Sequence, residues 1–246
     1  VTRWLAGYSN QQEDIMDLEQ VVVQSPAGPG TQLFLLFHRS GDNPTSMARI
    51  GQWFAQAFPQ SHVISIGGPH QLMAGGSEWF SEQDCSVTLR QNNIDKVMPQ
   101  FTGLVKEWQV QTGVTAAATA LVGFSQGGIM ILEALKVIPE LAGRAVILSG
   151  SYNTPPVTAS LATTVHLIHG DEDEVIPYKR AEQAAEWLIG AGGDVTLDCV
   201  EDLPHAIDEK SLQLAINHLK YTVPKRYFDE ALSGSTPGQD DVIPMI

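Results

Sequence analysis

An α/β fold, a mostly parallel central sheet with helices on both faces, is what this sequence predicts. Three observations carry that expectation. Short apolar runs of strand character alternate with segments of helical period along most of the chain. Consecutive parallel strands need crossover connections, and the helical segments lie where those crossovers must run. The chain has 246 residues, 43% of them hydrophobic, which suits one α/β domain with a sizeable core.

Taken in order, residues 1–15 are polar and aperiodic and precede Met16. They are expected to form a disordered extension, from an upstream start, ahead of a single domain at 16–246. Glu19 to Gln24 reads as an edge strand, and Pro26-Ala27-Gly28-Pro29-Gly30 as a turn. Gln32 to Phe37 has the length and character of a buried strand. Met47, Ile50, Phe54 and Phe58 fall at helical spacing, and His62 to Ile66 follows as a strand. Gly67 to Ser86 is the longest irregular piece, of a length that is usually functional or mobile. Leu89 to Thr112 reads as a long amphipathic helix. Beyond the segment around Ser125, strands are expected at Arg144 to Leu148, Thr164 to Ile168 and Asp194 to Val200. Helices are expected at Tyr178 to Ile189 and Asp208 to Tyr221. No insertion is large enough for a cap domain. The tail from Pro224 to Ile246, rich in turn formers and acids, is expected to wrap the surface.

Composition narrows the partners. A net charge of −14 and a pI near 4.7 argue against nucleic acid and against docking on anionic lipid, which both reward clustered Lys and Arg. No apolar run approaches the length of a membrane span, so stable membrane insertion is not expected. The start Val1-Thr2-Arg3-Trp4 lacks a secretory pattern, and the two cysteines, Cys85 and Cys199, are too few for a disulfide framework. A cytoplasmic location is the expectation. Cys199 alternates in step with Val195 and Leu197, which predicts a buried strand position rather than a reactive thiol.

The chain is organised around Ala118 to Met130. An apolar strand-like run meets Gly123-Phe124-Ser125-Gln126-Gly127-Gly128, and a second apolar run long enough for a helix follows. Gly-x-Ser-x-Gly between a strand and a helix is a nucleophile elbow. Its glycines permit a sharp turn that lifts the serine hydroxyl above the sheet, beside a helix N-terminus that favours negative charge. The pentapeptide alone is a weak signal, and a plain glycine-rich turn is the alternative. A serine also needs a base to take its proton and a third group to hold that base. In the order Ser, acid, His, only His205 and His218 follow Asp173. His218 falls mid-helix. His205 falls between the last strand and the last helix, so it is the candidate base. For the acid, His169-Gly170-Asp171-Glu172-Asp173 follows a strand end, and spacing leaves Asp171 and Asp173 both open. A metal-site reading is weaker, because His166 and His169 lie on opposite faces of a strand.

Taken together, Phe37-His38 with Gly41-Asp42, the Gly123 to Gly128 elbow, His169-Gly170-x-x-Asp173-x-Val175-Ile176-Pro177 and Pro204-His205 resemble the carboxylesterase/phospholipase family of α/β hydrolases. That family includes acyl-protein thioesterases and small bacterial esterases. The resemblance implies an α/β-hydrolase fold and hydrolysis of small to medium acyl esters, or thioesters, through an acyl-serine. It implies Asp173 as the third member beside Ser125 and His205, and an oxyanion hole formed by the backbone N–H groups of Gln126 and Ser40. It implies no cofactor and no metal, only a small-molecule acyl ester as substrate. Trp79 and Phe80 are assigned to the acyl pocket, with an ordinary core pair as the alternative. The alternative functions are a lysophospholipase or protein depalmitoylase, and a binding protein that has lost catalysis. One departure stands out: the family pattern His-Gly-x-Gly-Asp has Arg39 at its first glycine. The Arg39 side chain is expected to reach water from the strand end.

Overall fold

A computed structural model describes residues 18–83 and 86–233. The expected extension at 1–15, Cys85, and the last part of the tail lie outside these residues. Seven strands form the main sheet: β1 (Gln20–Gln24), β2 (Gln32–Phe37), β3 (Ser61–Ile66), β6 (Thr119–Phe124), β7 (Arg144–Leu148), β8 (Thr164–Gly170) and β9 (Asp194–Val200). Their order is β1-β3-β2-β6-β7-β8-β9. Only β1 runs antiparallel, paired with β3 at the edge; the other pairings are parallel. The long irregular piece after β3 holds a small antiparallel ribbon, β4 (His70–Gln71) and β5 (Ser77–Glu78).

Alternation along β2 divides the core. Leu33, Leu35 and Phe37 face one side, with α2 (Val87–Thr112), α3 (Gln126–Val137) and α4 (Lys179–Gly190). Phe34 and Leu36 face the other, with α1 (Pro44–Ala57) and α5 (Glu209–Tyr221). Helices therefore cover both faces, and every parallel strand ends at the same rim of the sheet, where ligands of such folds bind. The start of α1 is fixed by Asn43, whose side chain accepts the Ser46 N–H at 3.1 Å, with Pro44 at the first helical position. A capping box on Asp208 and Ser211 starts α5 directly after the loop that carries His205.

One local expectation fails. Cys199 is exposed rather than buried. The reason is its position: β9 is an edge strand, so its faces are only partly covered and an alternating pattern overstates its burial. Burial and the nearby Asp171 carboxylate still push the thiol pKa up, which leaves it protonated rather than reactive. Within the tail, Lys225–Ser233 forms a further helix, α6.

Candidate active site

Ser125 sits at φ 52° and ψ −114°, a conformation that L side chains rarely adopt. Tight packing imposes it. A Cβ on Gly123 would come within 2.5 Å of Gly128 N, and one on Gly127 within 2.3 Å of Phe37 O. Glycine at both places lets the turn from β6 into α3 close and lets the end of β2 lie against it. The Ser125 N–H is anchored on Leu148 O at 2.9 Å, and its carbonyl accepts the Ile129 N–H at 3.0 Å. The hydroxyl thus stands at the N-terminus of a helix whose residues from Gln126 to Leu135 are all buried.

Two loops bring partners to it. His205, from the loop after β9, places Nε2 at 2.9 Å from Ser125 Oγ and Nδ1 at 2.7 Å from Asp173 Oδ2. A carboxylate accepts only, so Nδ1 carries the proton and the Nε2 lone pair faces the hydroxyl. The His205 ring stacks on Phe124 at 5.1 Å between centroids. Asp173 lies buried in the loop after β8, and its Oδ1 accepts the Val175 and Ile176 N–H groups at 2.9 and 2.8 Å. Burial by itself would raise this carboxyl; the hydrogen bonds from His205 and Ile176, with nearby imidazole charge, outweigh it and hold it below the usual carboxylate range. Asp171 is exposed on the surface of the same loop. His218 is engaged elsewhere, with Asp198 at 2.6 Å.

The supporting residues are less visible in the sequence. His169 Nε2 donates to Ile176 O at 2.6 Å and lies 3.2 Å from Asp173 Oδ2, which pins the loop that carries Asp173. Burial keeps its pKa low, so it serves as a neutral donor. His38 plays the matching part after β2. Its Nδ1 donates to Arg39 O at 2.6 Å, and its Nε2 accepts the Gly68 N–H at 2.9 Å. Burial lowers its pKa as well. The Gln126 side chain accepts the Trp79 N–H at 2.7 Å and donates to Phe80 O at 2.8 Å. Trp79 Nε1 then donates to His38 O at 3.0 Å, so elbow, ribbon and β2 loop form one unit. For His38 and His169 the only local sequence signal is a histidine at a strand end.

Trp79 and Phe80 themselves are 1% and 0% exposed. Trp79 packs edge-on against Phe37 and Phe101, each at 5.4 Å between centroids. Both side chains lie in the core, which is where the assignment to an acyl pocket gives way to the alternative of a core pair. Ser40 follows Arg39 in a turn whose next residue, Gly41, donates to Ser77 O at 3.0 Å. Among the described residues, the Ser40 and Gln126 N–H groups find no protein acceptor. Arg39 is not in a left-handed conformation; Ser125, Ser149 and Asp202 are the described non-glycine residues at positive φ. Arginine in place of glycine therefore imposes no backbone strain there. Its side chain is half-exposed.

Two clefts open beside His205. One, of about 250 Å³, is lined by Met47, Ile50, Phe124 and Ile207, with Arg39 and Asp42 in its wall. The other, of about 750 Å³, is lined by Asp171, Glu172, Glu174 and Val175.

A strand–serine–helix elbow at the rim of a mostly parallel sheet, with helices on both faces, makes this an α/β hydrolase. The chain belongs to the phospholipase/carboxylesterase family, whose sequence profile matches residues 18–223. It is 55% identical over 232 residues to esterase YpfH of Escherichia coli (strain K12), covering 94% of this chain and 100% of that one. It is 24% identical over 242 residues to lysophospholipase-like protein 1 of Mus musculus, covering 89% and 95%. Among solved structures it is similar to esterase PE8, at 28% identity and a TM-score of 0.74, covering 82% of this chain and 97% of that one. The Bacillus cereus carboxylesterase, at 14% identity and a TM-score of 0.70 over 91% and 100%, shares the fold. This chain is an ester-hydrolysing enzyme.

Proposed function

We propose that the enzyme is a serine carboxylesterase acting on small to medium acyl esters, or thioesters, through an acyl-serine. The observation that carries this reading is the hydrogen-bonded series Ser125–His205–Asp173. His205 Nε2 takes the hydroxyl proton as Ser125 Oγ attacks the ester carbonyl. The Gln126 and Ser40 N–H groups hold the oxygen that becomes negative, helped by the N-terminus of α3. The imidazolium then gives its proton to the leaving alcohol or thiol. Water repeats the sequence on the acyl-serine, releasing the acid and restoring Ser125. Asp173 keeps the His205 tautomer and stabilises the imidazolium, which its low pKa suits because it stays ionised throughout.

Substrate size follows from the clefts. The apolar one beside His205 is smaller than the roughly 300–1,000 Å³ pockets that enclose drug-sized ligands, and the larger one is lined mostly by acids that do not suit an acyl chain, which supports small to medium chains over palmitoyl chains. No described helix is long and apolar enough to cross a membrane, and we place the enzyme in the cytoplasm on its cysteine content. The test combines fluorophosphonate labelling with turnover of a nitrophenyl ester series and a palmitoyl thioester. Labelling at Ser125 with a preference for short acyl chains is expected. A preference for the long thioester would move the assignment to protein depalmitoylase or lysophospholipase, and an unlabelled protein would end the serine mechanism.

A further inference from the structure

We infer that the Arg39 guanidinium, in the wall of the apolar cleft beside His205, selects esters that carry a carboxylate a few methylenes from the scissile bond. The inference rests on the esterase reading above and adds a substrate class to it.

The guanidinium is held without being used up. Arg39 Nε lies 3.7 Å from Asp42 Oδ2, and its charged carbon lies 6.0 Å from the centre of the Phe124 ring. Asp42 spends its other oxygen on the Asn43 N–H at 2.9 Å and on the Ser46 hydroxyl. The Arg39 Nη groups find no protein acceptor among the described residues. Arginine presents these N–H groups as a planar fork that matches a carboxylate bidentately. The cleft that Arg39 and His205 both line also offers Met47, Ile50, Phe124 and Ile207, which suit a short methylene chain.

The surroundings make the choice directional. The second cleft lined by His205 presents Asp171, Glu172 and Glu174, which repel an anion. The chain as a whole carries a charge of −14, so an acidic substrate gains nothing from the overall field and depends on a local cation. Arg39 is the one cation lining either cleft among the described residues.

The experiment compares kcat/KM for matched pairs in the full chain. Monoethyl adipate against ethyl hexanoate puts the carboxylate on the acyl side; carboxymethyl butanoate against ethyl butanoate puts it on the alcohol side. In at least one pair, Arg39→Gln is expected to lower the acid-to-neutral ratio about tenfold, mainly through KM, the scale of one partly exposed charge-assisted contact. Arg39→Lys is expected to keep most of that ratio, and the responding pair shows which half of the ester lies in the cleft. Ratios that stay the same in Arg39→Gln for both pairs would overturn the inference while leaving the esterase reading standing. Wild-type protein that hydrolyses none of the four esters and takes no fluorophosphonate label would overturn both.

Discussion

At Ser125 a residue of the site sits in a strained backbone conformation. Its φ of 52° with ψ of −114° is a region that costs a non-glycine residue on the order of 1–3 kcal/mol. Two substitutions that both remove the hydroxyl separate strain from chemistry. Ser125→Ala and Ser125→Gly are each expected to lower kcat by about a millionfold. Ser125→Gly should unfold at higher urea than Ser125→Ala, by about 1–2 kcal/mol, since only glycine is at ease there. Equal midpoints would show that the turn stores no strain. The two acids of the β8 loop are distinguished by burial: Asp173 accepts four hydrogen-bond contacts or close imidazole approaches inside the loop, whereas Asp171 faces water. Asp173→Asn is expected to lower kcat roughly 10⁴-fold by favouring the wrong His205 tautomer, and Asp171→Asn to have little effect. Steady-state kinetics on one nitrophenyl ester decide it, and the reverse ranking would move the acid.

At the scale of elements, the contact between the elbow and the ribbon depends on one side chain. Gln126→Leu leaves the Trp79 N–H and the Phe80 carbonyl buried without partners, at about 1–3 kcal/mol each. A loss of roughly 2–5 kcal/mol in urea unfolding is expected, with a fall in kcat as the Ser77–Phe80 segment releases the β2 loop. Stability within 0.5 kcal/mol of wild type, by the same about-one-partner scale, would show that the clamp is idle. This contact also shows what a sequence does and does not display. Strand and helix positions were legible because burial imposes its period locally: Asp194 to Val200 and Gln32 to Phe37 coincide with β9 and β2. The Gln126 clamp joins residues 47 apart in the chain, and nothing in the local pattern of either partner announces it. Trp79 and Phe80 stand in a glycine-rich stretch that reads as a loop, yet Phe37 and Phe101 enclose Trp79 from distant elements. The exposure of Cys199 was hidden for the complementary reason: alternation marks a face and says nothing about whether that face is covered.

For the whole molecule, the buried histidines set how stability responds to acid. His38, His166 and His169 all have pKa values lowered by burial. His166 is also beside the Arg144 guanidinium of β7 at 3.2 Å, contacts Thr196 of β9 at 2.9 Å, and stacks on His218 of α5 at 4.7 Å; His218 in turn faces Asp198. These rings stay neutral in the folded chain and protonate near pH 6.5 when it unfolds, so the unfolded state binds more protons in acid. Their contribution is whole above about pH 6.5 and is lost as pH falls below it towards their folded values. Urea midpoints should therefore fall between pH 7 and pH 5.5, and His166→Gln should be less stable yet show a shallower fall. An equal slope in the variant would remove His166 from this account. The burial of α3 on all sides from Gln126 to Leu135 has a consequence for how the enzyme dies. A helix with no solvent face has no private route of opening; it is released only when the sheet and its neighbours part together. Fraying at the β1 edge, away from the His205 loop, can come and go while turnover continues. Thermal inactivation should then run with the same rate constant as the loss of circular dichroism, and the slowest-exchanging amides should cluster in α3, so that residual activity acts as a clock for global unfolding.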